Sequence, residues 1–193
     1  MQGNEESFIG PSWSEADEAL RSAERLQAGS RRMVMGQAAG SQMVVWGGVW
    51  ALGYTEAQFL PLAAASVVWL LLMLVAGLVG ALLRRGREVS SGWEARFGRG
   101  WWALLLGSFA IVAIVEPTSA QVILLVLGAL WGIGFVLYAL VAGDVPLVVL
   151  GAAVVVLAPT LRILIPQWSL LCFGVLAGGS MMGFGLWRSR VLR

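Results

Sequence analysis

The sequence has few charged side chains, and it lacks lysine and histidine altogether. Of its 193 residues 12% are charged, and all 13 basic residues are arginine. A soluble domain usually carries about a quarter charged residues. With 59% hydrophobic residues and a mean hydropathy of +0.81, this chain has more apolar surface than a soluble core can bury. The composition therefore predicts an integral membrane protein.

These absences also exclude several kinds of active site. Without histidine the chain has no Ser-His or Cys-His pair to activate a nucleophile. Its single cysteine, Cys172, excludes an internal disulfide and a cysteine-based metal cluster. There is also no phosphate-binding loop of the Walker type. We therefore expect no catalytic residues, no metal site and no cofactor, and an enzyme is the least favoured class.

The intervals between successive charged residues divide the rest of the chain into six apolar segments. Five of them enclose 17 to 27 uncharged residues, and a helix needs about 17–25 residues to cross the hydrocarbon. The third encloses 16, but Trp93, Phe97 and Trp101 fall at helical spacing and extend it into the interface. Such uniformly apolar runs are too long for barrel strands. We predict an all-α bundle of six transmembrane helices, at residues 33–54, 60–83, 98–115, 120–142, 145–161 and 165–187.

The arginines predict the orientation of the bundle. Twelve of the thirteen lie before the first segment, between the second and third, or after the last, whereas Arg162 alone falls on the other side. The positive-inside rule then places both termini in the cytoplasm of a bacterial inner membrane. On this topology the turn at Asp144 is cytoplasmic and joins two antiparallel helices. Glu56, Glu116 and Arg162 face outward as helix-end groups, and an external anion at Arg162 is a weaker alternative.

Prolines mark the end of the fifth predicted helix. Pro159 and Pro166 lie in the stretch APTLRILIPQW, residues 158–168. Proline has no backbone N–H to donate to the helix. We therefore expect the fifth helix to kink or end within this stretch.

An amphipathic helix is predicted before the first span, at residues 11–28 within a cytoplasmic segment formed by residues 1–30. Ser12 and Glu15 form a capping box, and Gly29 is a reasonable stop. The first thirty residues contain no apolar run, so we expect no cleavable signal peptide. The helix has a narrow apolar stripe that includes Leu20. It either packs on the cytoplasmic face of the bundle or docks a protein partner.

The loop between the second and third spans is rich in arginine. Arginines at this position contact anionic lipid headgroups, for about 1 kcal/mol each. The simplest interpretation is an ordinary cytoplasmic loop, and a specific lipid or nucleotide site or a partner contact is the alternative. We attribute the sequence pI near 9.3 to topology, and we expect no nucleic-acid binding. The candidate lipid or partner contacts are Arg84, Arg85, Arg87, Arg96 and Arg99.

Glycines form a small-residue face on the first span. Gly36, Gly40 and Gly47 fall within one arc of a helix, where they let a second helix approach closely. Gln37 and Ser41 flank this arc, so we expect their side chains to hydrogen-bond to a neighbouring helix. Four-residue glycine spacing recurs at Gly128 and Gly132, at Gly174 and Gly178, and at Gly179 and Gly183. The first, fourth and sixth helices are therefore predicted to pack tightly.

Gln42 points away from the glycine face, toward the side of Trp46 and near Trp50. By helix rise it lies about 15 Å from Arg32, near the bilayer centre. A lone amide facing lipid is costly there, so Gln42 must face protein or a wet cavity. It is either a ligand contact, together with its two tryptophans, or a contact between subunits of a homo-oligomer. Trp69 and Trp131 are further candidates for this aromatic cluster.

The signature WGGVW, Trp46 to Trp50, and the glycine-rich hairpin LGALWGIGFVLYALVAGD carry a family resemblance. The chain resembles short six-span membrane proteins of actinobacteria, which have a charged amphipathic N-terminal segment and a short arginine-rich tail. The stretch WWALLLGSFAIVAIVEP is also similar to the acid-resistance six-span membrane family. Both resemblances imply a six-helix fold, and neither implies a catalytic residue.

Two functions remain open from the sequence. The first is a regulatory or scaffold subunit that binds a cytoplasmic or membrane partner. It is favoured because the span interiors carry no charged side chain, which a proton-coupled transporter normally needs. The alternative is a small-molecule transporter or the substrate-binding subunit of one, with Gln42 and its tryptophans lining the pocket.

Overall fold

The computed structural model describes residues 13–84, 92–115 and 119–191 of the chain. These residues are almost entirely helical, and they contain no strand. Two short irregular turns, a 3-10 turn at Pro166–Trp168 and a π-helical turn at Gly174–Gly178, interrupt the last helical segment. The helices are α1 Trp13–Ala57, α2 Leu62–Arg84, α3 Gly92–Val115, α4 Ala120–Ala142, α5 Val145–Leu164, α6 Ser169–Phe173 and α7 Gly179–Val191.

Four helical stretches are long and apolar enough to cross a membrane. They are Leu62–Leu83, Ala120–Ala142, Val145–Leu164 and Pro166–Val191. Their bounds agree with the second, fourth, fifth and sixth predicted spans to within a few residues. The apolar part of α3, Arg99–Ile114, is shorter. The prediction of an all-α fold is therefore confirmed for the described residues, and four of its helices are long and apolar enough for a membrane protein.

The first helix is longer than the sequence suggests. We expected a separate N-terminal helix that stops at Gly29, but α1 runs without a break through 45 residues. The predicted stop is therefore wrong. A mid-helix glycine costs only about 1 kcal/mol relative to alanine, and helix-favouring residues flank Gly29 on both sides. The predicted cap at Ser12 lies outside the described residues.

Glycines bring α1 into close contact with the last helical segment. A methyl group added at Gly47 would lie 2.6 Å from the carbonyl oxygen of Gly178, and one added at Gly40 would lie 3.0 Å from that of Gly185. Backbones can approach this closely only where both helices carry small residues. The predicted tight packing of the first and sixth helices is confirmed.

Of the other predicted glycine pairs, Gly174 and Gly178 also lie against α1, where an added methyl group would meet Tyr54 and Ala51. On α4, a methyl group at Gly132 would meet Val155 and the backbone of Gly151 on α5. Gly179 and Gly183, in contrast, have no atom within 4 Å of an added methyl group, counting described residues. The expectation that this last pair mediates packing within the chain is therefore wrong.

The turn between α4 and α5 closes an antiparallel hairpin, as predicted. Gly143 adopts a left-handed conformation with φ of 68°, and its N–H caps the carbonyls at the end of α4. Asp144 then caps α5, because its carboxylate accepts from the N–H of Leu147 at 3.3 Å. At the other end α5 continues through Pro159 and ends at Leu164, just before the 3-10 turn. The predicted end within residues 158–168 is confirmed.

The remaining helices lie at the edge of the bundle. The close packing of α2 is against α1, and that of α3 is against α4. Only narrow stripes of these two helices are buried, so most of their apolar side chains are exposed; examples are Leu70, Leu74, Leu106 and Phe109. The core lies between α1, α4, α5, α6 and α7.

Candidate functional site

Gln42 contacts a neighbouring helix of the same chain. Its side chain is half-buried, and its Nε2 donates to the carbonyl oxygen of Gly80 on α2 at 3.5 Å. A methyl group at Gly80 would lie 2.8 Å from that nitrogen, so the amide packs directly against the backbone at this glycine. This geometry favours a helix contact over a ligand contact for Gln42.

The other polar candidates of the first span contribute less. Ser41 is half-buried on α1 and is engaged in an interaction. The side chain of Gln37 lies outside the described residues.

Trp50 lies at the centre of a buried aromatic cluster. Only 2% of the residue is exposed. The ring centroid of Trp50 lies 5.6 Å from that of Tyr54, 5.7 Å from that of Trp131 and 5.9 Å from that of Phe173. Such tilted contacts stabilise aromatic pairs by about 0.5–1.5 kcal/mol beyond the burial of area. Trp46 packs against this cluster from one side and is half-buried.

The last helical segment, Pro166–Val191, is called the C-terminal segment below. Its glycine contact with α1 positions the aromatic cluster. A methyl group at Gly174 would lie 2.8 Å from Cβ of Tyr54, so glycine lets the C-terminal segment approach α1 at the level of the aromatic rings. Tyr54 is fully buried, and its hydroxyl donates to the carbonyl oxygen of Leu124 on α4 at 3.0 Å. The glycines therefore allow the close helix approach that places the aromatic rings in contact.

Trp69 brings the edge helix α2 into the same cluster. Its ring is nearly perpendicular to that of Tyr54 at 5.3 Å, and it lies 6.2 Å from that of Trp131. A methyl group at Gly53 would lie 2.6 Å from an indole carbon of Trp69. The sequence named both tryptophans as candidates but could not place them, because their positions depend on how three helices pack.

Three residues at this place carry buried polar atoms without a hydrogen-bond partner among the described residues. They are both carboxylate oxygens of Glu56, Nε1 of Trp69 and Nε1 of Trp131. Buried polar groups are normally paired, so these atoms distinguish the α1–α2–α4 region from the rest of the described chain. Burial also raises the pKa of Glu56, which lies beyond the end of the predicted first span.

The two ends of the bundle carry different polar contacts. At one end Gln58 donates to the carbonyl oxygen of Gln167 at 2.8 Å, and Gln121 donates to Ser169 Oγ at 2.7 Å. At the opposite end Arg188 of α7 pairs with Asp144. The glutamine contacts escaped the sequence analysis, since nothing in the local pattern brings residues so far apart together.

Of the candidates predicted to face the cytoplasm, the structure describes the side chains of Leu20 and Arg99, and both are exposed. Leu20 is 61% exposed on α1, beside an ion pair between Asp17 and Arg21 at 2.7 Å. Arg99 is exposed and is engaged in an interaction. The side chains of the other candidate arginines lie outside the described residues: Arg84, Arg85, Arg87 and Arg96.

The described side chains do not form an evident metal centre. No group of three or more His, Cys, Asp or Glu side chains occurs among them. The one cysteine, Cys172, is half-buried on α6 and is not disulfide-bonded. The arrangement at Glu56 and the tryptophans is suited to binding by hydrogen bonds and ring contacts.

Comparisons with known proteins do not extend this description. The chain was compared with protein-family models, with curated proteins and with solved structures, and no significant match was found. The resemblances to the actinobacterial and acid-resistance six-span families therefore stay predictions.

Proposed function

We propose that this chain is a non-enzymatic bacterial inner-membrane protein that acts as a regulatory or scaffold subunit. In this proposal it crosses the membrane six times with both termini in the cytoplasm. It binds a cytoplasmic or membrane partner through the charged first part of α1 and the arginine-rich loop before α3.

The length of α1 is the observation that carries the proposal. A helix of 45 residues extends about 67 Å, whereas the hydrocarbon core of a bilayer is about 30 Å thick. About half of α1 must therefore lie beyond the hydrocarbon. Its other half holds Trp50 and Tyr54 in the aromatic cluster, so one helix connects the bundle core to a charged segment in water.

The charged part of α1 is available for a partner. Residues 17–23 are all exposed, and Leu20 lies on their apolar stripe. An exposed leucine between charged neighbours is unremarkable alone. On a helix rooted in the bundle core, it is suited to pack against a second helix.

Polar contacts at the two ends support six crossings. In a six-span topology the end of α1, the start of α4 and the start of the C-terminal segment share one face of the membrane. Gln58, Gln121 and Gln167 belong to these three places and lie together. Asp144 and Arg188 belong to the other face and also meet.

Site-specific cross-linking tests the proposal. A photoreactive amino acid at Leu20 should give one defined adduct with a cytoplasmic or membrane protein in cells. The same probe at Leu78, exposed on α2, should react with lipid. Adding Asp17→Arg should abolish the Leu20 adduct while the chain stays in the membrane. A chain that is purified from native membranes alone, with no protein adduct at Leu20, would contradict the proposal.

The second candidate function is a small-molecule transporter or its substrate-binding subunit. The buried unpaired atoms of Glu56, Trp69 and Trp131 favour it, since they offer hydrogen bonds to a bound molecule. Transport would be measured as uptake into proteoliposomes. Because Gln42 is bonded to Gly80, Gln42→Ala should affect uptake less than Glu56→Gln does. Equal uptake by the Glu56→Gln variant and the wild type would exclude Glu56 from a transport site.

A further inference from the structure

The buried unpaired atoms lie in one region of the bundle. Leaving a buried donor or acceptor without a partner costs about 1–3 kcal/mol. Within the described residues, the buried side-chain atoms without a partner belong to Glu56 on α1, Trp69 on α2 and Trp131 on α4. Since Trp131 is only 6% exposed, bulk water does not satisfy its N–H.

The contacts of α1 bring the two indoles together, and helix spacing places Glu56 beyond them on α1. Gly53 packs directly against the indole of Trp69. Glu56 follows Gly53 by three residues, so it lies on the same side of α1 about one turn further along. Trp131 lies against Trp50 at 5.7 Å and against Trp69 at 6.2 Å. The two indoles are thus adjacent at the α1–α2–α4 interface, and Glu56 lies about one turn beyond Gly53 near the end of α1.

Their spacing sets the size of a ligand that reaches all of them. The hydroxyl of Tyr54 bonds to Leu124, so residue 124 of α4 lies near the level of residue 54 of α1. Trp131 is seven residues further along α4, which is about 10 Å by helix rise. Glu56 lies two residues beyond Tyr54 in the opposite direction, about 3 Å further, so a ligand that contacts Glu56 and Trp131 spans about 13 Å along the bundle, and the ring of Trp69 lies between its ends.

The chemistry of the three groups determines the kind of ligand. A shielded carboxylate is stabilised by a cation that also donates hydrogen bonds to its oxygens. An indole N–H only donates, so each tryptophan requires an acceptor. The faces of aromatic rings attract cations and pack well against apolar bodies. An anion is disfavoured because it would be repelled by Glu56.

We propose that the α1–α2–α4 interface binds an apolar monocationic amine that carries a hydrogen-bond acceptor at its far end. The ammonium group binds to Glu56, the body packs along Trp69, and the acceptor receives the N–H of Trp131. This site is independent of the cytoplasmic partner contact proposed above, and it stands whether or not that contact exists.

Binding to the full chain in lipid nanodiscs tests the site. The probe is 2-(4-methoxyphenyl)ethylammonium, and its neutral match is 2-(4-methoxyphenyl)ethanol, which has the same body and ether oxygen. Calorimetry against empty nanodiscs should show saturable binding of the ammonium probe. Removal of one partner of a shielded charge pair costs at least about 2 kcal/mol. The alcohol, and the ammonium probe on Glu56→Gln, should therefore bind about 30-fold more weakly or worse.

The tryptophan variants test the other end of the site. Trp69→Phe and Trp131→Phe keep a ring but remove the N–H, so binding should weaken about two- to tenfold. Two matched controls should leave affinity unchanged: Asp17→Asn removes an exposed carboxylate, and Trp102→Phe changes a tryptophan that is 66% exposed. Nitrogen-15 labelling of the indoles provides a second readout in the wild type. The signals lost in Trp69→Phe and Trp131→Phe should shift when the probe is added.

Several results would overturn the proposal. One is equal binding of the ammonium and the alcohol. Another is a Glu56→Gln variant with the affinity of Asp17→Asn. If Glu56→Gln does not fold, two measurements on the wild type still test the proposal. They are the difference in affinity between the ammonium and the alcohol, and the shift of the indole signals. Indole signals that do not move at saturating probe would mean that water alone satisfies these groups, and the amine site would then be rejected.

Discussion

At the scale of single residues, two adjacent glycines in the C-terminal segment have opposite surroundings. A methyl group at Gly178 would lie 2.5 Å from the backbone nitrogen of Ala51, whereas one at Gly179 would meet no atom of the described residues within 4 Å. Rigid backbone cannot move aside as a flexible side chain can. Gly178→Ala should therefore lower the free energy of unfolding by about 1–3 kcal/mol.

Gly179→Ala is the matched control for that variant. With open space around it, alanine should leave stability unchanged or raise it by up to about 1 kcal/mol through helix propensity. Unfolding titrations with a denaturing detergent in mixed micelles would measure both variants. If both change stability equally, the close contact between α1 and the C-terminal segment is not as described.

Glu56 makes stability depend on pH at the residue scale. Burial raises the pKa of its carboxyl above the ordinary glutamate value, so the folded state retains a proton that the unfolded state has already lost. Stability therefore falls as pH rises through the window between the ordinary and the raised pKa. Thermal unfolding in nanodiscs across this window should show a decline in the wild type that Glu56→Gln lacks. Parallel pH profiles would contradict this assignment.

The sequence predicted some residues of the site and missed others. Trp46 and Trp50 were found because two tryptophans in a glycine-rich span are conspicuous. Glu56 was interpreted as a helix-end group, since its position beside α2 depends on the α1–α2 contact. Phe173 gave no local signal either, because its role depends on the approach of the C-terminal segment to α1.

At the scale of helices and turns, one ion pair joins the α4–α5 turn to α7. Asp144 caps α5 and also pairs with Arg188, and both side chains are largely buried. Hydrogen bonds to charged groups contribute about 1.5–3 kcal/mol. Arg188→Gln should therefore lower the free energy of unfolding by about 1.5–3 kcal/mol.

Arg190→Gln is the control for the ion pair, because Arg190 is exposed two residues further along α7. It should change stability by less than about 0.5 kcal/mol. Both variants would be measured by the same detergent titration. If the two substitutions lower the free energy of unfolding equally, the ion pair with Asp144 adds nothing to stability beyond the positive charge at the end of α7.

Charge spacing predicted the helices better than local stop signals did. The apolar intervals predicted α2, α4 and α5 closely, since a helix that crosses hydrocarbon must run from one charged end to the other. Gly29 failed as a stop because its cost is small beside the propensity of its neighbours. Pro166 marks the break after α5, whereas Pro159 lies inside that helix, so a proline alone did not determine where the helix ends.

At the scale of the whole molecule, α2 and α3 differ from the helices they flank. Their exposed leucine and phenylalanine side chains are suited to a lipid environment, whereas α4 and the C-terminal segment are far more buried. The sequence predicted the membrane class from composition alone. It could not separate core helices from edge helices, because the burial of a helix depends on how the helices pack.

The most direct test of the account is the accessibility of the two faces of the membrane. In a Cys172→Ser background, cysteines at Leu20, Gln58, Gln167 and Ser189 would be labelled in intact cells with a membrane-impermeant maleimide. Gln58 and Gln167 should be labelled from outside, and Leu20 and Ser189 only after the cells are opened. Labelling of Leu20 and Ser189 from opposite sides would contradict six crossings with both ends in the cytoplasm.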